Sequence, residues 1–260
     1  MNRRASIAAL LCAAVLSACD AFDKNAVQEI AGPVPAGARI KFFNFGVNAP
    51  GVNFYANDRK MTAISSGSGQ ESNIGVAYGG VGAGGFYTAI APGQYTLAGK
   101  IAAATDKDLA ISNLPATLEE GKSYSFYQSG FYNTTTKTVD AFIVEDAFVP
   151  QIDFSVAYVR FVHAISNASP MTLYAKNTST TDSVIVGGAV AYKSAGAFTV
   201  VPPGFYDLGT RYAGVSTNAI SRTGVSFLAG RVYTIGARGD ITVTSTTATN
   251  RPFLDNTANR

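Results

Sequence analysis

The chain has 260 residues, 47% hydrophobic and 14% charged, with a formal net charge of +3. This composition is globular rather than disordered, and a charged share well below the ~25% of an average domain suits an exported, β-rich protein. No block of five or more basic residues occurs, so the phosphate-tracking surface that nucleic-acid binding needs is missing and nucleic acid is excluded as a partner.

The amino terminus comes first. Arg3 and Arg4 give a short basic region, and Ala5 to Val15 is apolar over the length of a secretory signal rather than of a membrane-spanning helix. Leu16-Ser17-Ala18-Cys19 is similar to a bacterial lipobox, in which small residues fit the signal peptidase and the cysteine receives a diacylglycerol. The alternative is an ordinary signal peptide cut near Ala18, leaving Cys19 a free thiol. Cys12 falls within the leader, so acylation of Cys19 leaves no thiol for a disulfide. Residues 1–18 are therefore expected to be a lipoprotein signal peptide. Residues 19–37, with Gly32-Pro33-Val34-Pro35, are expected to be a lipidated cysteine and an extended tether to the membrane.

Beyond the tether the chain repeats itself. Lys41-Phe-Phe-Asn44 through Ala56 aligns without gaps on Arg160-Phe-Val-His163 through Ala175. Gly85 to Lys100 aligns on Gly196 to Arg211, and Gly121 to Gly130 aligns on Gly230 to Gly239. The spacing shrinks only between these blocks, as expected for a duplicated domain whose loops tolerate length changes that strands do not. In the first copy, strands are predicted near 39–45, 52–56, 75–78, 86–90, 95–101, 123–132 and 139–145. Pro92-Gly93 and Pro203-Gly204 each read as the turn of a β-hairpin. Short strands at this spacing predict an all-β fold of two tandem immunoglobulin-like antiparallel β-sandwiches, over residues 38–150 and 151–246, with 247–260 a frayed polar tail.

With Arg160-Phe-Val-His163-Ala and the Pro-Pro-Gly-Phe-Tyr segment in view, the chain resembles the bacterial family known as domain of unknown function 4397. The resemblance covers both copies and is sharper in the second, since Lys41 and Asn44 stand where the motif has Arg160 and His163. It implies exported, often lipidated proteins built of β-sandwich units, and it carries no catalytic residues.

The remaining constellations are sparse. Gly80-Val-Gly-Ala-Gly-Gly85 satisfies a bare G-x-G-x-x-G pattern but leads into Phe86-Tyr-Thr-Ala-Ile90 rather than a helix, so no dinucleotide or other cofactor is implied. His163 is the only histidine, which leaves no His-based zinc site or serine triad to assemble. It is read as a hydrogen-bonding side chain at a strand end, with a polar ligand contact as the functional alternative. Asp106-Lys-Asp108 lacks the further oxygens of a calcium loop and reads as a charged turn, and Asp140 and Asp240 read as turn caps. Tyr78, Tyr127 and Tyr132, near long loops, are candidates for a glycan-stacking platform. Arg238-Gly239-Asp240 is an adhesive-type tripeptide placed where the last hairpin is predicted to turn.

Together these readings predict a non-enzymatic binding, adhesion or envelope-structural protein, lipid-anchored in the bacterial cell envelope and facing the periplasm or the cell surface. Its partners are envelope proteins or glycans. The rival reading is a glycan-binding or glycan-hydrolysing envelope protein.

Overall fold

The computed structural model describes residues 37–62 and 74–260. The predicted leader, Cys19 and nearly all of the tether lie outside these residues. Residues 37–260 form one compact unit.

The first copy contributes β1 (Ala38–Asn44), β2 (Val52–Ala56), β3 (Arg59–Lys60), β4 (Gly80–Val81), β5 (Thr88–Ile90), β6 (Gly93–Ile101), β7 (Ala110–Leu118), β8 (Ser123–Asn133) and β9 (Thr138–Glu145). The second contributes β10 (Ala157–His163), β11 (Met171–Asn177), β12 (Ser183–Val190), β13 (Ser194–Ala195), β14 (Thr199–Val201), β15 (Gly204–Tyr212), β16 (Ile220–Phe227), β17 (Val232–Arg238) and β18 (Phe253–Ala258). Each copy is a β-sandwich. Sheets β4-β1-β8-β9 and β3-β2-β6-β7 enclose the first core, and sheets β13-β10-β17-β18 and β12-β11-β15-β16 enclose the second, with β5 and β14 also pairing with β1 and β10. Pairing is antiparallel except that β1 runs parallel to β8 and β10 parallel to β17.

The repeated Pro-Gly segments are corners, not hairpins. β5 pairs with β1 in one sheet, whereas β6 pairs with β2 and β7 in the other, and β14 and β15 divide in the same way. The alternation around each Pro-Gly was therefore right for two strands and wrong about their pairing, because local sequence does not state which sheet a strand joins. A tyrosine pins each corner: Tyr95 Oη donates to Ala91 O at 2.8 Å, and Tyr206 Oη donates to Pro202 O at 2.7 Å.

Two further expectations are corrected. Residues 253–258 are not a frayed tail but β18, paired along β17, with Leu254 fully buried in the second core. A strand that offers its core one leucine shows no apolar alternation. β7 was missed because Pro115 interrupts it, and Pro is accommodated there because β7 is an edge strand.

The two copies are fused. β10 is buried at all seven positions and β8 at eight in succession, so the one-sided pattern of a solvent-facing sheet is lost. One face of β1 sends Ile40 and Phe42 into its own core, while Phe43 joins Phe45, Tyr127, Phe142, Val162 and Ala164 in a cluster drawn from both copies. Tyr127 stacks between Phe43 and Phe142, with ring centroids 4.5 and 5.0 Å away. The inner sheets thus pack against each other along a seam.

Candidate functional site

The seam carries the molecule's concentration of buried charge, and the duplication organises it. Lys41 and Arg160 occupy equivalent positions on β1 and β10 and are 1% and 2% exposed. Each reaches across to the last strand of the other copy. Arg160 ion-pairs through Nη2 with Asp146, donates from Nη1 to Glu145 O at 3.0 Å and from Nε to Thr234 Oγ1 at 3.0 Å, and lies 4.9 Å from the Phe198 ring. Lys41 Nζ donates to Ala258 O at 3.0 Å and Asn259 Oδ1 at 3.1 Å, and lies 4.3 Å from the Tyr87 ring. Ala258 and Asn259 stand in the register of Glu145 and Asp146, since Ala258 faces Tyr233 as Glu145 faces the equivalent Tyr124.

Asp146 is the electrostatic centre of this network. Besides Arg160, it accepts from Ser125 Oγ at 2.8 Å and from Tyr87 Oη at 2.5 Å. Burial pulls the Lys41 ammonium down to about 8, with Asp146 opposing the shift and Arg160 adding to it. The Tyr87 hydroxyl is pushed up, first by burial and then by the charge of Asp146. A buried cation that has neutral acceptors and no ion pair is therefore held beside one that is fully paired.

His163 and Asn44 are fully buried and do the same job. Asn44 Oδ1 accepts from Gly46 N–H at 3.3 Å while its Nδ2 donates to Pro50 O at 3.2 Å. His163 Nδ1 accepts from Ile165 N–H at 3.2 Å, and Nε2 lies 3.2 Å from Ser169 O, which makes Nε2–H the donor. Each side chain closes the loop that follows the first strand of its copy. The alternative role of His163 as a ligand contact is not supported by this burial.

The candidate tyrosines do not form a platform. Tyr127 is buried in the seam at 1% exposure, because its sheet face is covered by the other copy. Tyr132 packs half-buried against the first core. Tyr78 lies beneath Arg238, whose guanidinium is 4.9 Å from its ring. Nor is the tripeptide displayed on a tight turn: Arg238 ends β17 and pairs with Asp255 of β18 at 2.5 Å. Gly239 has φ +113, and a Cβ there would lie 2.3 Å from Arg251 O. Asp240 Oδ1 accepts from Thr242 Oγ1 at 2.6 Å and from Asn167 Nδ2 at 2.8 Å, as a turn cap does, but Asp140 sits within β9 and bonds Lys193 at 3.0 Å. Of the candidates, the fold brings together only Arg238 with Tyr78 and its own neighbours in the tripeptide.

Open space lies elsewhere. One cleft of about 580 Å³ at the seam is lined by Lys41, Phe86, Tyr87, Arg231, Asn259 and Arg260, among others. Another of about 490 Å³ takes in Arg160, Glu145, Lys193 and Phe198, the equivalent end of the seam. A third, of about 430 Å³, lies on the outer sheet of the second copy around Tyr174, Asp207, Arg211 and Asn218, with the Arg211 guanidinium 4.4 Å from the Tyr174 ring. Sequence reasoning paired Lys41 with Arg160 but singled out none of these residues as a site. The signal that was present, neutral residues in place of Glu145 and Asp146, was hidden in the segment taken for a tail. Among the described residues no group of three or more His, Cys, Asp or Glu side chains is placed to hold a metal ion, and no helix is long and apolar enough to cross a membrane.

No family model matches the chain, and no curated protein matches it. Among solved structures, it aligns with a provisionally assigned cell adhesion protein from Bacteroides ovatus ATCC 8483 at 11% identity, covering 88% of this chain and 97% of that one. The TM-score is 0.22, too low to speak for a shared arrangement or task.

Proposed function

We propose that this chain is a lipid-anchored protein of the bacterial cell envelope, facing the periplasm or the cell surface, that binds or bridges other envelope components without turning over a substrate. The leader and the lipobox-like Leu16 to Cys19 support the address, as does the resemblance to an exported family. The observation that carries the binding role is how the reactive side chains are used. His163, Arg160, Asp146 and Tyr87 are engaged in internal bonds that close loops or join the two copies. What the fused sandwiches offer a partner is a set of preformed clefts on a stiff body, the arrangement expected of a recognition module.

Two measurements test this reading. Mass spectrometry of the mature protein is expected to find diacylglyceryl-modified Cys19 at the amino terminus; an unmodified cysteine there removes the anchor. Exposure of the full-length protein to glycan arrays and to crosslinked envelope is expected to give retention without product. Release of reducing ends from any retained glycan overturns the non-enzymatic reading in favour of a hydrolase.

A further inference from the structure

The clefts beside Lys41 and Arg160 can be compared directly, because the equivalent strands β1 and β10 surround them with different charge, although Thr234 links the two cations through Arg160 Nε and Asn259 Nδ2. At the Arg160 end every lining cation has a carboxylate: Arg160 has Asp146, and Lys193 has Asp140 at 3.0 Å, while Glu145 is itself answered by Lys122 at 3.1 Å. At the Lys41 end the lining holds Lys41, Arg231 and Arg260 and no acidic side chain. Lys41 bonds only neutral acceptors. The guanidinium of Arg260 lies 5.3 Å from the Phe148 ring, and the exposed Arg231 makes no ion pair among the described residues. The residues in the register of Glu145 and Asp146 are Ala258 and Asn259, so the lining beside Lys41 has neutral residues where the other copy has acids. The buried charge of Asp146, which accepts from Tyr87, offsets Lys41 in part, but three cations and no acidic side chain in the lining leave a positive potential, focused by the low-dielectric walls of a cleft.

We propose that the cleft beside Lys41 binds the carboxylate of an acidic sugar residue, a uronate, within an anionic polysaccharide. This deepens the reading of the protein as a binding module and rests on it. The volume of about 580 Å³ lies within the ~300–1,000 Å³ of small-molecule sites, far larger than a lone inorganic anion requires. Phe86, 77% exposed at the rim, gives a sugar ring an apolar face to stack on. Arg231 and Arg260 are exposed and reach the ligand, whereas Lys41 lies at the floor, almost wholly covered, and acts through its field. That recess favours a narrow saccharide over a bilayer. Anionic membranes gain about 1 kcal/mol per basic residue brought near their surface, and a cation at the bottom of a cleft does not approach a plane.

The test uses the full-length protein in detergent and titrates it calorimetrically with oligogalacturonate, oligoglucuronate and alginate oligomers, and with the methyl esters of the first, which keep the ring and lose the charge. Binding to at least one uronate is expected, at least tenfold weaker for its ester, weaker at high salt, and lost at least tenfold in Arg231→Glu. Lys193→Ala, in the opposite cleft, is expected to leave it unchanged. No uronate binding, or uronate binding indifferent to both esterification and Arg231→Glu, overturns the proposal. So does Arg231-dependent binding to phosphatidylglycerol vesicles in the absence of uronate binding. Neutral-glycan binding that survives Arg231→Glu but fails in Tyr174→Ala overturns this cleft while leaving the binding module standing, with its site on the outer sheet.

Discussion

Lys41 and Arg160 began as the same residue in two copies of one domain, and they now show two ways to bury a cation. Arg160 is neutralised within the protein: a planar guanidinium distributes its donors over Asp146, Glu145 O and Thr234 Oγ1. Lys41 keeps its charge and meets dipoles instead, Ala258 O and Asn259 Oδ1. Pairing makes a structural clamp. Burial without pairing leaves an unmet charge, which is destabilising by itself and useful where a ligand completes it.

The comparison breaks most sharply at Asp146. Replacing Asp146 by Ala strands the Arg160 guanidinium, at 2% exposure, and also removes the acceptor of Ser125 and Tyr87. The expected loss is about 3–5 kcal/mol, read as a fall in the urea midpoint. Asn259→Ala, in the equivalent position, removes a neutral acceptor from Lys41 and a donor to Thr234 Oγ1, and is expected to cost about 1–2 kcal/mol. Equal losses for the two variants would mean that the two buried cations are not held in the different ways described.

Lys41 gives the next effect, in its pH dependence. Burial lowers its proton affinity in the folded state to about 8, from the 10.5 of an unperturbed lysine. Between these values the unfolded chain holds more protons than the folded one, so stability rises with pH. Below pH 8 both states are protonated, and the cost of the buried charge is constant. Relative to Lys41→Met, which does not titrate there, the wild type is expected to gain roughly 2 kcal/mol between pH 8 and 10.5, after discounting the shift for solvent screening. Parallel stability curves over that window would show that Lys41 is not held in a desolvated, unpaired state.

Much of the fold was legible because it repeats. The gapless match of Lys41 to Ala56 with Arg160 to Ala175 identified β1, β2, β10 and β11, and the Pro-Gly pairs marked the right strand breaks, though as corners rather than hairpin turns. What escaped was relational. Whether β5 turns back on β6 or departs for another sheet is decided by β1, roughly fifty residues away. That Tyr127 and Phe43 face a second domain rather than water is likewise invisible to a period-two pattern, which registers the buried faces but not what covers them. β18 went unread because Leu254 alone serves its core, while Asp255 and Asn259 serve Arg238 and Lys41. The candidate cleft depends on that strand, so missing one meant missing both.

The smallest effect concerns the other duplicated pair. His163 and Asn44 each accept from a backbone N–H two residues on and donate to a carbonyl six residues on. His163→Asn can keep these two bonds and loses ring volume beside Phe161 and Tyr192, but it does not gain the bond Asn44 accepts from Gln128 Nε2, because Ala237 stands in that register. Its expected cost at pH 8 is about 1 kcal/mol, less than the ~1–3 kcal/mol of a loop left with unmet polar groups. Acid separates the two proteins. Burial lowers the proton affinity of His163 in the folded state by desolvating the charged ring, with the bond to Ser169 O opposing the shift, and a proton on Nδ1 would also displace the Ile165 N–H it accepts. The unfolded chain takes up its proton first as pH falls below about 6.5, so the wild type loses up to ~1.4 kcal/mol per pH unit there, and His163→Asn does not. Denaturation midpoints at pH 5, 6, 7 and 8 decide it: the variant is expected to close its deficit on the acid side, and a constant gap would mean that Nδ1 is not the acceptor assigned to it.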